Sequence, residues 1–307
     1  MSDVAVLGPG GVGGFVAAML ARAGEDVAVV AREPTAELIN GQGISVSSVR
    51  FGEFTARPTA VAELRTPTSL LLVATKATTL AAALKRVMIE PGLVVPLLNG
   101  LDHMAVLRDR FGAGRVAAGS IRIEADRPES ARVVHSSPFL RVELAADDPA
   151  LHPALRDLAQ FLQRAQIPVE MGPSEAQVLW SKLVRLGPLA LTTSASGRPI
   201  GFIRSDSHWR SALEAAIAET AAVADAEGAP IDPAQVLTEL DGAHPTLTTS
   251  MQRDLAAERP SELDAIPGAV LRAAGRHGLR CPTVALLVDQ ISERVASPAC
   301  ERRTGRD

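Results

Sequence analysis

The chain has 307 residues, 47% of them hydrophobic and 21% charged, which gives room for two domains of ordinary size. A net charge of −4, an aromatic content of 3% and no tyrosine exclude both a global basic field and a stacking platform, so nucleic acid is not an expected partner. No apolar run reaches the ~20 residues that span a bilayer, and the first strand begins at once with no space for a signal peptide, so the expected setting is the cytoplasm with no membrane partner.

Val4-Ala5-Val6-Leu7 is an unbroken apolar run, the pattern of a strand buried on both faces. It leads into Gly8-Pro9-Gly10-Gly11-Val12-Gly13-Gly14, where Gly8, Gly10 and Gly13 hold the G-x-G-x-x-G spacing. An alanine-rich helix is expected over 15–23 and a second strand over 27–31. In that context Gly8 allows the tight turn, Gly10 the approach of backbone to a pyrophosphate, and Gly13 close helix–strand packing. The helix N-terminus directs its free N–H groups at the phosphates, so Gly8, Gly10, Gly11, Val12 and Gly13 are candidate cofactor-binding residues. The alternative is a glycine-rich turn with no ligand. The second strand ends in Arg32, which suits the 2′-phosphate of NADP, while Glu33 is the competing residue for the ribose of NAD.

Residues 43–47 and 51–55 alternate and are expected to pair as an antiparallel excursion. Residues 69–75 form the next buried strand, ending at Lys76 and followed by a helix over 79–88. Residues 93–98 form another, ending at Asn99-Gly100-Leu101, with a helix after it to about Phe111. Lys76 and Asn99 thus stand at carboxyl ends of parallel strands, where open α/β sheets bind ligands. Residues 115–125, 132–135 and 139–144 are expected as mixed strands, then a helix over 153–165 and a strand around Val169.

At Gly172-Pro173 the pattern changes to helical periodicity. Helices are expected over 174–193, 206–227, 232–240, 248–258, 262–277 and 283–295. Ser174-Glu175 and Asp206 resemble N-terminal caps, and Gly228 and Gly278 resemble C-terminal stops. The fold class is therefore α/β, an N-terminal Rossmann-type dinucleotide-binding domain over 1–172 with a C-terminal all-helical domain over 173–296. The polar stretch 297–307 is expected to be a disordered tail. Cys281 and Cys300 make no disulfide framework and fit a reducing compartment. The six histidines show no ligand spacing, so no metal is expected, and His135, His244 and His277 read as surface or packing residues.

Together, Gly8-Pro9-Gly10-Gly11-Val12-Gly13, Arg32, Lys76, Leu98-Asn99-Gly100, Leu179-Trp180-Ser181-Lys182-Leu183, Ser250-Met251-Gln252-Arg253-Asp254 and the stretch 261–268 resemble the ketopantoate reductases. These are NADPH-dependent 2-dehydropantoate 2-reductases, and the resemblance covers nearly the whole chain. It implies that Lys182 is the general acid, protonating the oxygen as hydride reaches the keto carbon of a 2-oxo acid. A cation is needed there because a developing alkoxide must be stabilised and then protonated. It further implies that Glu262 lies near substrate and lysine in a catalytic role, that Ser250 contacts the substrate carboxylate, and that Lys76 and Asn99 lie beside nicotinamide and substrate. The ordinary alternatives are a solvated lysine, a helix N-terminal acid after Ser261, a helix cap at Ser250 and a turn residue at Asn99. A homodimer formed through the helical domain is also expected.

The sequence departs from the family after Lys182. Where the family pattern continues with two asparagines spaced four apart and a following proline, the run here is Val184-Arg185-Leu186-Gly187-Pro188-Leu189-Ala190-Leu191, with no Asn, and further asparagines are replaced near Ile200 and by Leu247. Each lost hydrogen bond to a substrate hydroxyl costs about 1–3 kcal/mol. Two alternatives to ketopantoate reduction follow: a reductase of a less hydroxylated oxo acid, and a catalytically silent NADP-binding redox sensor.

Overall fold

The structure, a computed structural model, describes residues 3–296; the expected tail and Cys300 lie outside the described residues. The chain divides into two units, Met1–Leu179 and Trp180–Asp307.

The first unit opens with β1 (Val4–Leu7), α1 (Gly11–Arg22), β2 (Val27–Val30), α2 (Glu33–Gln42), β3 (Ile44–Ser48), β4 (Gly52–Ala56), β5 (Thr59–Val61) and β6 (Leu70–Val73). It continues with α3 (Leu80–Leu84), β7 (Leu93–Pro96), α4 (His103–Phe111), β8 (Ala118–Glu129), β9 (Arg132–Ala145), α5 (His152–Arg164), β10 (Val169–Met171) and the start of α6 (Glu175–Ser196). One sheet is wholly parallel in the order β5-β2-β1-β6-β7. Every residue of β1, β2, β6 and β7 is buried, as their unbroken apolar runs require.

A second sheet has the order β10-β9-β3-β4, with β8 antiparallel along β9. β3 and β4 pair antiparallel as expected, but β3 also joins β9 in parallel, Ser45 opposite Arg132. α1 packs against strands of both sheets, and Gly13–Leu20 are all buried in one core with Val4, Val6, Val133 and Val142. A helix enclosed on every side has no polar face, which accounts for its alanine-rich composition.

Several expected boundaries move. α1 begins at Gly11 rather than residue 15, so its first turn lies within the glycine loop. The helix expected over 79–88 shrinks to a 3₁₀ turn at Ala77–Thr79 and α3. Residues 86–88 are drawn into extended pairing instead: Leu64 N–H donates to Arg86 O and Met88 N–H to Leu64 O. α2 and the three-residue β5 were not expected. The strands read separately at 132–135 and 139–144 are one strand, β9, with a register break opposite Ile123 and Ala125. Pro138 lies within that break, where a residue with no N–H interrupts no ladder bond.

The second unit holds the rest of α6, then α7 (Ile200–Ser205), α8 (Ser207–Ala226), α9 (Pro233–Asp241), α10 (Ser250–Ala256), α11 (Ala269–Arg276) and α12 (Pro282–Ala296). α8 is the hub, packing on α7, α9, α11 and α12. Its Glu219 carboxylate accepts the N–H groups of Thr283 and Val284 at 2.9 Å each, capping α12 from a neighbouring helix. The short α7 was not expected. The helix expected over 262–277 instead opens on a π turn over Asp264–Gly268 that leads into α11. Pro267 has no N–H to offer Leu263 O, and Gly268 N–H, one residue later, donates to it at 3.2 Å.

Candidate functional site

The glycine loop follows β1 directly. Gly8 has φ +93°, open to glycine at no steric cost, and its N–H donates to Val30 O of β2 at 3.0 Å. A Cβ on Gly13 would stand 2.2 Å from Gly8 O, so loop and helix close on each other only because that position has no side chain. A Cβ on Gly11 would stand 2.2 Å from Ala125 O, so this glycine makes room for β8. At Gly10 the nearest atom to such a Cβ is Ala74 O at 3.9 Å, and the protein leaves that side open. No side chain caps α1 and its first turn carries no acid. Its leading N–H groups, those of Gly11, Val12 and Gly13, fall outside the intrahelical ladder and form a ready anion site. The Thr75 hydroxyl beside Gly8 is shielded from solvent and lacks a hydrogen-bond partner among the described residues. Uncapped donors and a shielded polar atom fit a bound dinucleotide phosphate.

The register lines up the ends of β2, β1, β6 and β7: Leu7 lies opposite Val30 and Val73, and Val73 opposite Pro96. Arg32, the Gly8 loop, Lys76 and Asn99 therefore share the carboxyl edge of one parallel sheet, at the point where the order reverses around β1. Leu97 N–H donates to Val73 O at 2.7 Å, fixing the chain just before Asn99, and Gly100 follows with φ +86°. Asn99 is half-buried, and Lys76 and Arg32 are exposed. Arg32 lines a cavity of about 660 Å³ together with Glu33, Glu63, Arg65 and Arg86. Thr75, Arg65 and Arg86 escaped the reading of the sequence, because no motif marks them and only strand pairing brings them here.

In the second unit Lys182 is half-buried on α6, between the fully enclosed Trp180 and Leu183. Glu262 is 7% exposed, and its backbone carbonyl accepts Ile266 N–H at 2.9 Å at the entry to the π turn. Ser250 is exposed as the first residue of α10, and the cap there is Thr249, whose hydroxyl accepts Gln252 N–H at 3.2 Å. Thr249 also bonds to Thr193 Oγ1 at 3.3 Å, tying α10 to α6. The apolar residues Ile200 and Leu247 adjoin one another: Ile200 N–H donates to Leu247 O at 3.0 Å. Leu186 lies one turn beyond Lys182 and is half-buried.

Among the described residues no group of three His, Cys, Asp or Glu side chains could hold a metal ion, and no helix is long and apolar enough to cross a membrane. Cys281 is a buried thiol, and burial, followed by the Glu219 charge, pushes its pKa up. His244 and His277 are surface residues bonded to Thr246 and Glu227, while His135 is buried and packs against Phe15 and Phe51.

Family models described as "Ketopantoate reductase PanE/ApbA" and "Ketopantoate reductase PanE/ApbA C terminal" match residues 4–146 and 176–295. The chain is similar to the 2-dehydropantoate 2-reductase of Mycobacterium tuberculosis, 31% identical over 304 residues that cover 97% of this chain and 99% of that protein. Among solved structures it is similar to 2-dehydropantoate 2-reductase from Geobacter metallireducens GS-15, with a TM-score of 0.87 at 26% identity over 95% of this chain and 99% of that one. D-mandelate dehydrogenase, solved with NADH and anilino(oxo)acetate, shares the fold, with a TM-score of 0.87 at 20% identity over 95% and 98% of the two chains.

Proposed function

Because the chain belongs to the ketopantoate reductase family and is an oxidoreductase acting on a CH–OH/C=O pair, we propose that it reduces a 2-oxo acid with NADPH, ketopantoate being the substrate the family implies. The observation that carries this reading is the shared carboxyl edge of β2, β1, β6 and β7, bearing Arg32, the glycine loop, Lys76 and Asn99. Bound NADPH supplies a hydride. The N–H groups of Gly11, Val12 and Gly13 hold its pyrophosphate, Arg32 takes the 2′-phosphate, and Lys76 and Asn99 orient nicotinamide and substrate. Lys182 stabilises the developing alkoxide and gives its proton to that oxygen, while Glu262 orients the lysine and Ser250 holds the carboxylate. Residues 173–296 serve as the substrate-binding and dimer-forming domain of a cytoplasmic homodimer, and light scattering tests the dimer.

The test is NADPH oxidation by purified protein with ketopantoate, with NADH as control. Lys182→Ala is expected to lower kcat at least about 100-fold, the usual range for general acid catalysis, while NADPH binding stays unchanged. Undiminished turnover in that variant would refute the assignment, and any turnover in the wild type rules out a silent sensor.

A second reading is favoured by Leu186 one turn from Lys182 and by the adjacent Ile200 and Leu247. Apolar side chains at these positions offer a substrate hydroxyl no partner, which suits a less hydroxylated oxo acid. Comparing kcat/KM for ketopantoate with that for 2-oxo acids lacking the hydroxyl decides between them. A strong ketopantoate preference sinks the second.

A further inference from the structure

The cavity beside Arg32 is lined by two further arginines, Arg65 and Arg86. Its volume of about 660 Å³ is within the usual range for small-molecule sites. Its walls come from two places in the chain. β5 lies alongside β2, with Ala31 N–H donating to Val61 O at 3.0 Å, so the segment after β5 runs past Arg32. That segment is clamped from the other side: Leu64 N–H donates to Arg86 O at 2.8 Å, Met88 N–H to Leu64 O at 2.9 Å, and Arg86 Nη1 to Ala62 O at 3.1 Å. Fixed backbone on both sides of Leu64 holds Arg65 at the cavity wall.

We propose that Arg65 is a second guanidinium reading the 2′-phosphate of the cofactor, sharing it with Arg32. The inference rests on the NADP reading above. Arg65 now pairs with Glu63 at 2.5 Å, with side-chain exposures of 70% and 43%. An ion pair that open to water holds its partner weakly. A doubly charged phosphate offers the guanidinium fork more charge and more acceptor oxygens than one carboxylate does. The lining counts three guanidinium groups (Arg32, Arg65, Arg86) against two carboxylates (Glu33, Glu63), a balance of +1 that favours an anion. Glu63 acts as a placeholder that the phosphate displaces.

Calorimetric titration of the full chain with NADP⁺ and with NAD⁺ tests this. Arg65→Gln is expected to weaken NADP⁺ binding about tenfold, the effect of losing one charge-assisted hydrogen-bond pair, and to leave NAD⁺ within about twofold. Arg65→Lys is expected to recover part of the loss, because it restores the charge without the fork. Glu63→Gln removes the competing carboxylate and is expected to tighten NADP⁺ alone. A wild type that prefers NADP⁺, with Arg65→Gln and Arg65→Lys both unchanged, overturns the Arg65 assignment and leaves the NADP reading standing. A wild type that prefers NAD⁺ overturns both.

Discussion

At the scale of single residues, the glycine loop answers to two masters. No packing contact requires glycine at Gly10, where a Cβ would meet only Ala74 O at 3.9 Å, whereas Gly13 and Gly11 are glycine because backbone oxygens stand 2.2 Å from where a Cβ would be. Gly13→Ala is therefore expected to force loop and helix apart, lowering Tm by several degrees, since it places a methyl against backbone rather than a flexible side chain. Thermal denaturation with and without NADP⁺ checks it, and an unchanged Tm would show that the loop yields easily. The packing role of Gly13 was legible in the spacing. The reason for Gly11 was not, because Ala125 lies more than a hundred residues away in the chain and reaches the loop only through β8.

Elements formed where local chemistry and packing agreed, and shifted where they did not. Asp206 was readable as a cap, and its carboxylate accepts Trp209 N–H at 3.0 Å at the start of α8. Asp206→Ala is expected to destabilise the protein by about 1 kcal/mol, read as a lower denaturant midpoint with the slope unchanged. Gly228 and Gly278 end α8 and α11 at φ +81° and +66°, as their positions predicted. The π turn was hidden because a proline inside a helical pattern can end, kink or widen a helix, and only the neighbouring backbone decides which. The truncation of α3 has the same origin: residues 86–88 suit a helix, and Leu64 captures them as a bridge. Ser250 showed the ambiguity at its sharpest, since Thr249 and Ser250 are both good caps and the structure gives the role to Thr249.

On the scale of the whole molecule, each unit has its own apolar interior, and the first carries a pH-sensitive link. His135 of β9 is 1% exposed, its ring stacked on Phe51 and tilted against Phe15 of α1. Ser48 Oγ accepts N–H bonds from Arg50 and Phe51, so its own hydrogen is left to donate to His135 Nδ1 at 2.8 Å, which requires a neutral ring. Burial, with the Arg50 charge adding to it, holds this pKa below the ordinary 6.5. The unfolded chain then binds the proton more readily, so stability is complete above about 6.5 and declines as pH falls below that value until the folded ring itself protonates. Tm measured from about pH 8 to 5 is expected to fall more steeply in the wild type than in His135→Gln; parallel slopes would refute the link. The sequence by itself determined the α/β class, the helical C-terminal half, the dinucleotide loop and the family, because buried runs, glycine spacing and capping residues act over short range. Only tertiary structure decided that β3, β4 and β8–β10 form a second sheet against α1, and that Arg65 and Arg86 face Arg32. Strand register joins residues far apart in the chain, and no local pattern encodes which distant strand a given edge will meet.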